Sequence, residues 1–157
     1  TDLDVGDARD TNAVLWADYD GDGDADLYTV NREQENQFYR NDLNVDGSFV
    51  EVSAALGVAN NEIGQNGTWG DYDNDGDMDI LASNFARPEE DVVANLSTLQ
   101  EPREGYQPTA LYKNDGSGQF TNMGETAGFQ PASIMGALFI DFELCKYFSY
   151  FSKRLIF

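Results

Sequence analysis

No histidine occurs in the 157-residue chain, and its absence removes His-based triads, His general bases and the commonest zinc sites. A single cysteine, Cys145, leaves nothing for an internal disulfide framework and reads as an incidental small thiol. Only nine basic residues stand against 29 acidic ones, for a formal charge of -20. That balance argues against nucleic acid or an anionic membrane surface as a partner, since both need clustered Lys and Arg. A membrane helix needs about 18 consecutive apolar residues. The nearest stretch, 134–157, is interrupted by Asp141, Glu143, Lys146, Lys153 and Arg154, so no membrane insertion is expected. The opening TDLDVGDARD lacks the apolar core of a signal peptide, as a processed or truncated chain also would.

What is present is concentrated. Ten of the 29 acids fall in two windows, DYDGDGDAD (18–26) and DYDNDGDMD (71–79), with an aspartate at every second position. Like charges this close repel by roughly 1 kcal/mol per pair even through water. Such a loop is either a solvated acidic bulge or the seat of something positive.

The windows belong to an internal repeat. LWADYDGDGDADLYTVN (15–31) aligns without a gap on TWGDYDNDGDMDILASN (68–84), and FYRNDLNVDGSFVEVSAALGV (38–58) is echoed by LYKNDGSGQFTNMGETAGF (111–129). Short runs rich in β-branched and aromatic residues, bounded by Asn, Asp and Gly, read as strands and hairpins. The expected strands are 12–17, 26–30, 37–41 and 49–52, then 65–70, 79–83, 110–114 and 119–122, with SAALGV (53–58) and GETAGF (124–129) as connectors of about one helical turn. The chain is therefore expected to be all-β. It divides into a first repeat (1–58), a second (59–130) with a charged, proline-containing loop inserted at 87–108, the start of a third (131–143), and an atypical tail (144–157). In the third, Phe139 and Asp141 stand where Trp16 and Asp18 stood, but the remaining carboxylates are missing.

A hard divalent ion such as calcium takes six to eight oxygens, and a short loop can supply them from alternate residues. Asp18, Asp20, Asp22 and Asp26 offer side-chain oxygens at loop positions 1, 3, 5 and 9, Asp24 offers its backbone carbonyl, and Gly23 allows the bend. Asp71, Asp73, Asp75, Asp79 and the carbonyl of Asp77 repeat the set, with the bend at Gly76. Magnesium, which keeps its waters and a rigid octahedron, fits less well. An EF-hand requires a Glu at position 12 and flanking helices, and position 12 here is Thr29 or Ala82 within strand-like runs. An EF-hand-like sensor is thus disfavoured.

These residues resemble the FG-GAP or VCBS repeats of integrin-α-like β-propellers, most closely the form found in cartilage acidic protein-like and ASPIC/UnbV-type proteins. The resemblance covers about residues 12–143 and rests on the two WxDYDxDGDxD segments and the FYRND and LYKND segments with their Gly-Phe sequels. It implies blades of four antiparallel strands in an incomplete propeller, since closed forms have about seven blades. It implies one structural calcium in the first hairpin of each blade, two in all, held by Asp18, Asp20, Asp22, Asp24 and Asp26 and by Asp71, Asp73, Asp75, Asp77 and Asp79. It further implies an extracellular or cell-surface, non-catalytic role in adhesion or recognition of a protein or carbohydrate ligand, with remaining propeller blades as neighbours. The alternative is a propeller piece of a larger carbohydrate-active enzyme, a lyase or dehydratase with its active site elsewhere.

Other features take blander readings. Trp16 and Trp69, fixed before each loop, are expected to pack between blades. The sequons at Asn66 and Asn95 support secretion only weakly, and GQNGTWG (64–70) lacks the Lys-Ser/Thr of a phosphate-binding loop. Paired carboxylates can serve glycoside hydrolysis, but an acid held against a cation has a lowered pKa, unsuited to proton donation.

Overall fold

The computed structural model describes Val5 and residues 9–84 and 109–127. The inserted loop expected at 87–108, the start of a third repeat with Phe139 and Asp141, the tail with Cys145, and the sequon at Asn95 lie outside the described residues. Eight strands are present among the described residues, in chain order: β1 (Thr11–Ala17), β2 (Asp26–Asn31), β3 (Gln37–Asp42), β4 (Ser48–Glu51), β5 (Gly64–Gly70), β6 (Asp79–Asn84), β7 (Ala110–Asn114) and β8 (Phe120–Asn122). They form two four-stranded sheets, β1-β2-β3-β4 and β5-β6-β7-β8, antiparallel throughout. Every strand end lies within one residue of the sequence expectation. The fold is all-β, and the described residues add to the strands one helical turn, α1 (Ser53–Leu56), in the SAALGV connector. Gly57 ends that turn in the left-handed conformation, φ 75°, where a Cβ is penalised.

The repeat extends to register. Trp16 faces Leu27 and Trp69 faces Ile80, while Leu27 faces Tyr39 and Ile80 faces Tyr112. Even the irregularity at the start of the first strand recurs, between Thr11 and Ala13 and between Gly64 and Asn66. Two meanders with the same strand order, the same register and the same irregularity are a propeller-type arrangement of blades, and no closed barrel forms among the described residues.

The core lies between the sheets. Tyr28, Val30 and Phe38 of the first sheet and Ile80, Ala82 and Tyr112 of the second are buried, with Leu56 and Val58 of the connector beneath them. Burying one such side chain contributes roughly 1.5–3 kcal/mol before entropy is counted. Close approach depends on Gly64 in β5: a Cβ there would lie 2.4 Å from Val30 Cγ1 and 2.7 Å from the Asn31 carbonyl oxygen. The Asn12 side-chain amide donates to the Gly64 carbonyl at 2.6 Å and closes the same seam.

Trp69 meets the expectation of packing between sheets: its ring lies edge-on to Phe38 of the first sheet, centroids 5.8 Å apart. Trp16 does not, being 55% exposed, its one ring contact among the described residues an edge contact to Phe49 in its own sheet. The physical reason is the phase of the repeat. This tryptophan reaches back toward the sheet that precedes its own, and none precedes the first among the described residues.

Candidate metal centres

Each acidic window forms the tip of the hairpin between the first two strands of its sheet, β1–β2 and β5–β6. Two left-handed residues bend each loop at the same places, Gly21 (φ 73°) and Gly23 (φ 94°) in the first, Asn74 (φ 62°) and Gly76 (φ 96°) in the second. Glycine and asparagine tolerate this conformation best, which accounts for the residue types at both positions. The bend turns backbone amides toward the first aspartate. Gly23 donates to Asp18 Oδ2 and Gly76 to Asp71 Oδ2, both at 3.0 Å. Shorter-range bonds, Asp24 N to Asp22 Oδ1 at 2.9 Å and Asp77 N to Asp75 Oδ1 at 3.1 Å, continue the winding.

The loops gather carboxylates, though not identical sets. Asp18, Asp20 and Asp22 bring oxygens within 4.8 Å of one another in the first, and Asp71, Asp73 and Asp79 do so in the second. Asp26 is not within the first set. It lies buried at the foot of the loop, where Oδ2 accepts from the Tyr19 amide at 3.2 Å and Oδ1 from the Asn41 amide at 2.8 Å. Asp79 has the matching pair, Tyr72 N to Oδ2 and Asn114 N to Oδ1, each at 2.8 Å, yet also reaches Asp71 and Asp73. Asp24 turns its carboxylate away to the Asn44 side-chain amide, 2.7 Å to Oδ1. The carboxylate of Asp77 turns likewise toward Gly116, where a Cβ would come within 2.6 Å of Oδ2. Side chains so directed leave only the backbone carbonyls of Asp24 and Asp77 available to the loop interior.

The electrostatics follow from crowding and burial. Burial pushes the Asp26 carboxyl up to about 6, against the two amide bonds that favour its charged form, with Asp20 and Asp22 adding to the rise. Asp79 is raised for the same first cause, and Asp20 by burial and then by Asp22. A carboxylate so raised is destabilised as an anion, and a cation among these oxygens reverses that penalty.

One cation is already at hand. The Lys113 ammonium of β7 contacts Asp73 Oδ2 and lies 2.9 Å from Asp75 Oδ2, holding the Asp75 carboxyl below its usual range. Arg40 is at the equivalent place in β3 but is held by Asp42, Nε to Oδ1 at 2.8 Å and a terminal nitrogen to Oδ2 at 2.7 Å. A positive group seated in an all-oxygen cluster shows that the donor set accepts positive charge. Hard carboxylate oxygens of this kind fit calcium by chemistry, with Asp18, Asp20 and Asp22 in one loop and Asp71, Asp73 and Asp79 in the other as the groups that would hold it. The contribution of Lys113 and the placement of Asn114 are absent from the sequence reading. Their one signal was the recurrence of Tyr-basic-Asn-Asp in both repeats.

The FG-GAP-like repeat is the family whose model matches, over residues 18–82, a stretch that begins at the first aspartate of one loop and takes in the whole of the other. No curated protein matches the chain.

Proposed function

Since residues 18–82 carry an FG-GAP-like repeat, we propose that the chain is a calcium-stabilised, non-catalytic module of propeller type, serving as a scaffold for adhesion or ligand recognition outside the cell. The observation that carries this reading is the pair of carboxylate clusters at equivalent hairpin tips. A divalent cation there supplies the positive charge that lets five aspartates share one loop. The protein's own part is to bend the loop at the left-handed residues, direct Asp18 and Asp71 inward, and hold the Asp26 and Asp79 carboxyls at the foot by two backbone amides each.

Net charge bears on the kind of partner. The formal charge of -20 disfavours nucleic acid as a partner. No helix among the described residues is long and apolar enough to cross a membrane. The ligand is proposed as a protein or carbohydrate met by the loops of the blades, with further blades as structural neighbours.

Calorimetric calcium titration with thermal melting tests the reading on the chain and on an Asp20→Ala, Asp73→Ala variant. Two binding events and a raised melting temperature are expected, because a ligand bound only by the native state stabilises it. Both are lost in the variant. A chain that takes up no calcium and melts unchanged contradicts the proposal.

A further inference from the structure

The two loops share a direct connection, and we propose that it couples them, so that a cation at either loop strengthens binding at the other through Asn114. The inference rests on the calcium reading given above. Tyr19 lies in the chain between Asp18 and Asp20, two of the carboxylates gathered in the first loop. Its ring is buried between the sheets, 4.7 Å from the centroid of Phe38 and 6.0 Å from that of Phe120. Its carbonyl accepts from the Asn114 side-chain amide at 2.9 Å, a buried bond between residues 95 positions apart.

Asn114 ends β7 in the other sheet, and its own backbone amide donates to Asp79 Oδ1 at 2.8 Å. One fully buried residue thus holds a carboxylate of the second cluster with its main chain and the backbone inside the first cluster with its side chain. Water does not substitute for either bond at such a site, so displacing one strands a buried polar group. The equivalent Asn41 uses its amide on Asp26 in the same way, but its side-chain NH2 donates to the Ala25 carbonyl of its own loop, at 2.9 Å, and not to the neighbouring sheet. Asn114 makes that local contact too, with Met78, at 3.3 Å. The bond across the sheets is the addition.

When Asp79 is fixed by a bound cation, Asn114 is fixed with it, and so is the Tyr19 carbonyl between Asp18 and Asp20. Ordering spent at one loop is then not spent again at the other, which is positive coupling. Linkage requires the same factor in both directions.

The test is calcium titration by calorimetry of the full chain and of its Asp73→Asn variant. Loop-one affinity is expected to fall about tenfold when loop two is disabled, in the ordinary range of coupling energies. In an Asn114→Ser background the same Asp73→Asn change leaves loop-one affinity unaltered. Should Asn114→Ser fail to fold, hydrogen exchange on an Asp20→Asn chain, whose second loop alone is intact, gives the answer: calcium is expected to slow exchange of the amides from 19 to 26. Two independent binding events, or exchange at 19–26 unmoved by calcium bound at the second loop, overturn the coupling and leave the calcium reading standing. Absence of calcium binding at both loops overturns the calcium reading and the coupling together.

Discussion

The two acidic loops share a spacing and a bend but differ in their counter-charge. In the second repeat Lys113 reaches across to Asp73 and Asp75, whereas in the first Arg40 stays on Asp42. The cause lies one turn away. Asp115, the equivalent of Asp42, is engaged by the NDGSG turn, where it accepts from the Ser117 amide at 2.8 Å, the Ser117 hydroxyl at 2.7 Å and the Gln119 amide at 3.2 Å. Lys113 is thereby left to the acidic loop. In the longer turn of the first repeat Asp46 takes that role, accepting from the Ser48 amide at 3.1 Å, which frees Asp42 for Arg40. A repeat can thus keep its cluster of acids and change how that cluster is neutralised by altering a turn outside it.

The largest expected effect sharpens a second contrast, between Tyr19 and Tyr72. Tyr19 is 7% exposed and wedged between Phe38 and Phe120, while Tyr72 is half-buried at the equivalent place. Tyr19→Ala is expected to destabilise by about 3–5 kcal/mol, as loss of a buried aromatic does. Tyr72→Ala should cost about 1–2 kcal/mol, scaled to its smaller burial. Denaturant unfolding of both variants gives the comparison, and equal losses would erase it.

Counter-charge comes next. Lys113→Gln removes a competitor from the second loop, and its calcium affinity should rise. Arg40→Gln should change the first loop less, because that guanidinium is bonded to Asp42 and touches the cluster only through its field on Asp20. Titration of the two variants side by side measures the difference; equal gains at both loops would mean that the turns do not set it.

The smallest effect is one of pH. Asp26 and Asp79 have pKa values raised by burial, Asp26 to about 6. A carboxyl raised on folding contributes stability that is complete below its unfolded value and is lost as pH rises through the folded one. In chelator, the chain should therefore melt a few degrees higher at pH 5 than at pH 7. Asp42, Asp75 and Asp115 are lowered instead, so their contribution falls away only below the usual carboxylate range and leaves that window untouched. With saturating calcium the trend should reverse, since protons then compete with the ion. A melting temperature that rises on acidification in calcium as well as in chelator would place the ion away from these carboxylates.

Much of the fold was legible in the sequence because its signals are local. Runs such as DLYTV and FVEV, closed by Asn, Asp and Gly, mark short strands wherever they occur, and the alternation of aspartate with Gly23 and Gly76 marks a wound loop. Partner choice was less legible, since it depends on atoms far apart in the chain. The grip of Asn114 on Tyr19 spans 95 positions, and the direction of Lys113 depends on which residue satisfies Asp115. The exposure of Trp16 belongs to the same class. Its residue type says that it packs between sheets, while whether a sheet stands before it is not a property of the repeat that contains it.

The most direct test of cation binding at the hairpin tips is a crystal structure obtained in millimolar calcium, with anomalous difference maps at both loops. Peaks are expected among Asp18, Asp20 and Asp22 and among Asp71, Asp73 and Asp79, with the Lys113 ammonium displaced from Asp73. Water alone at both positions, with Lys113 still seated on Asp73 and Asp75, would contradict it.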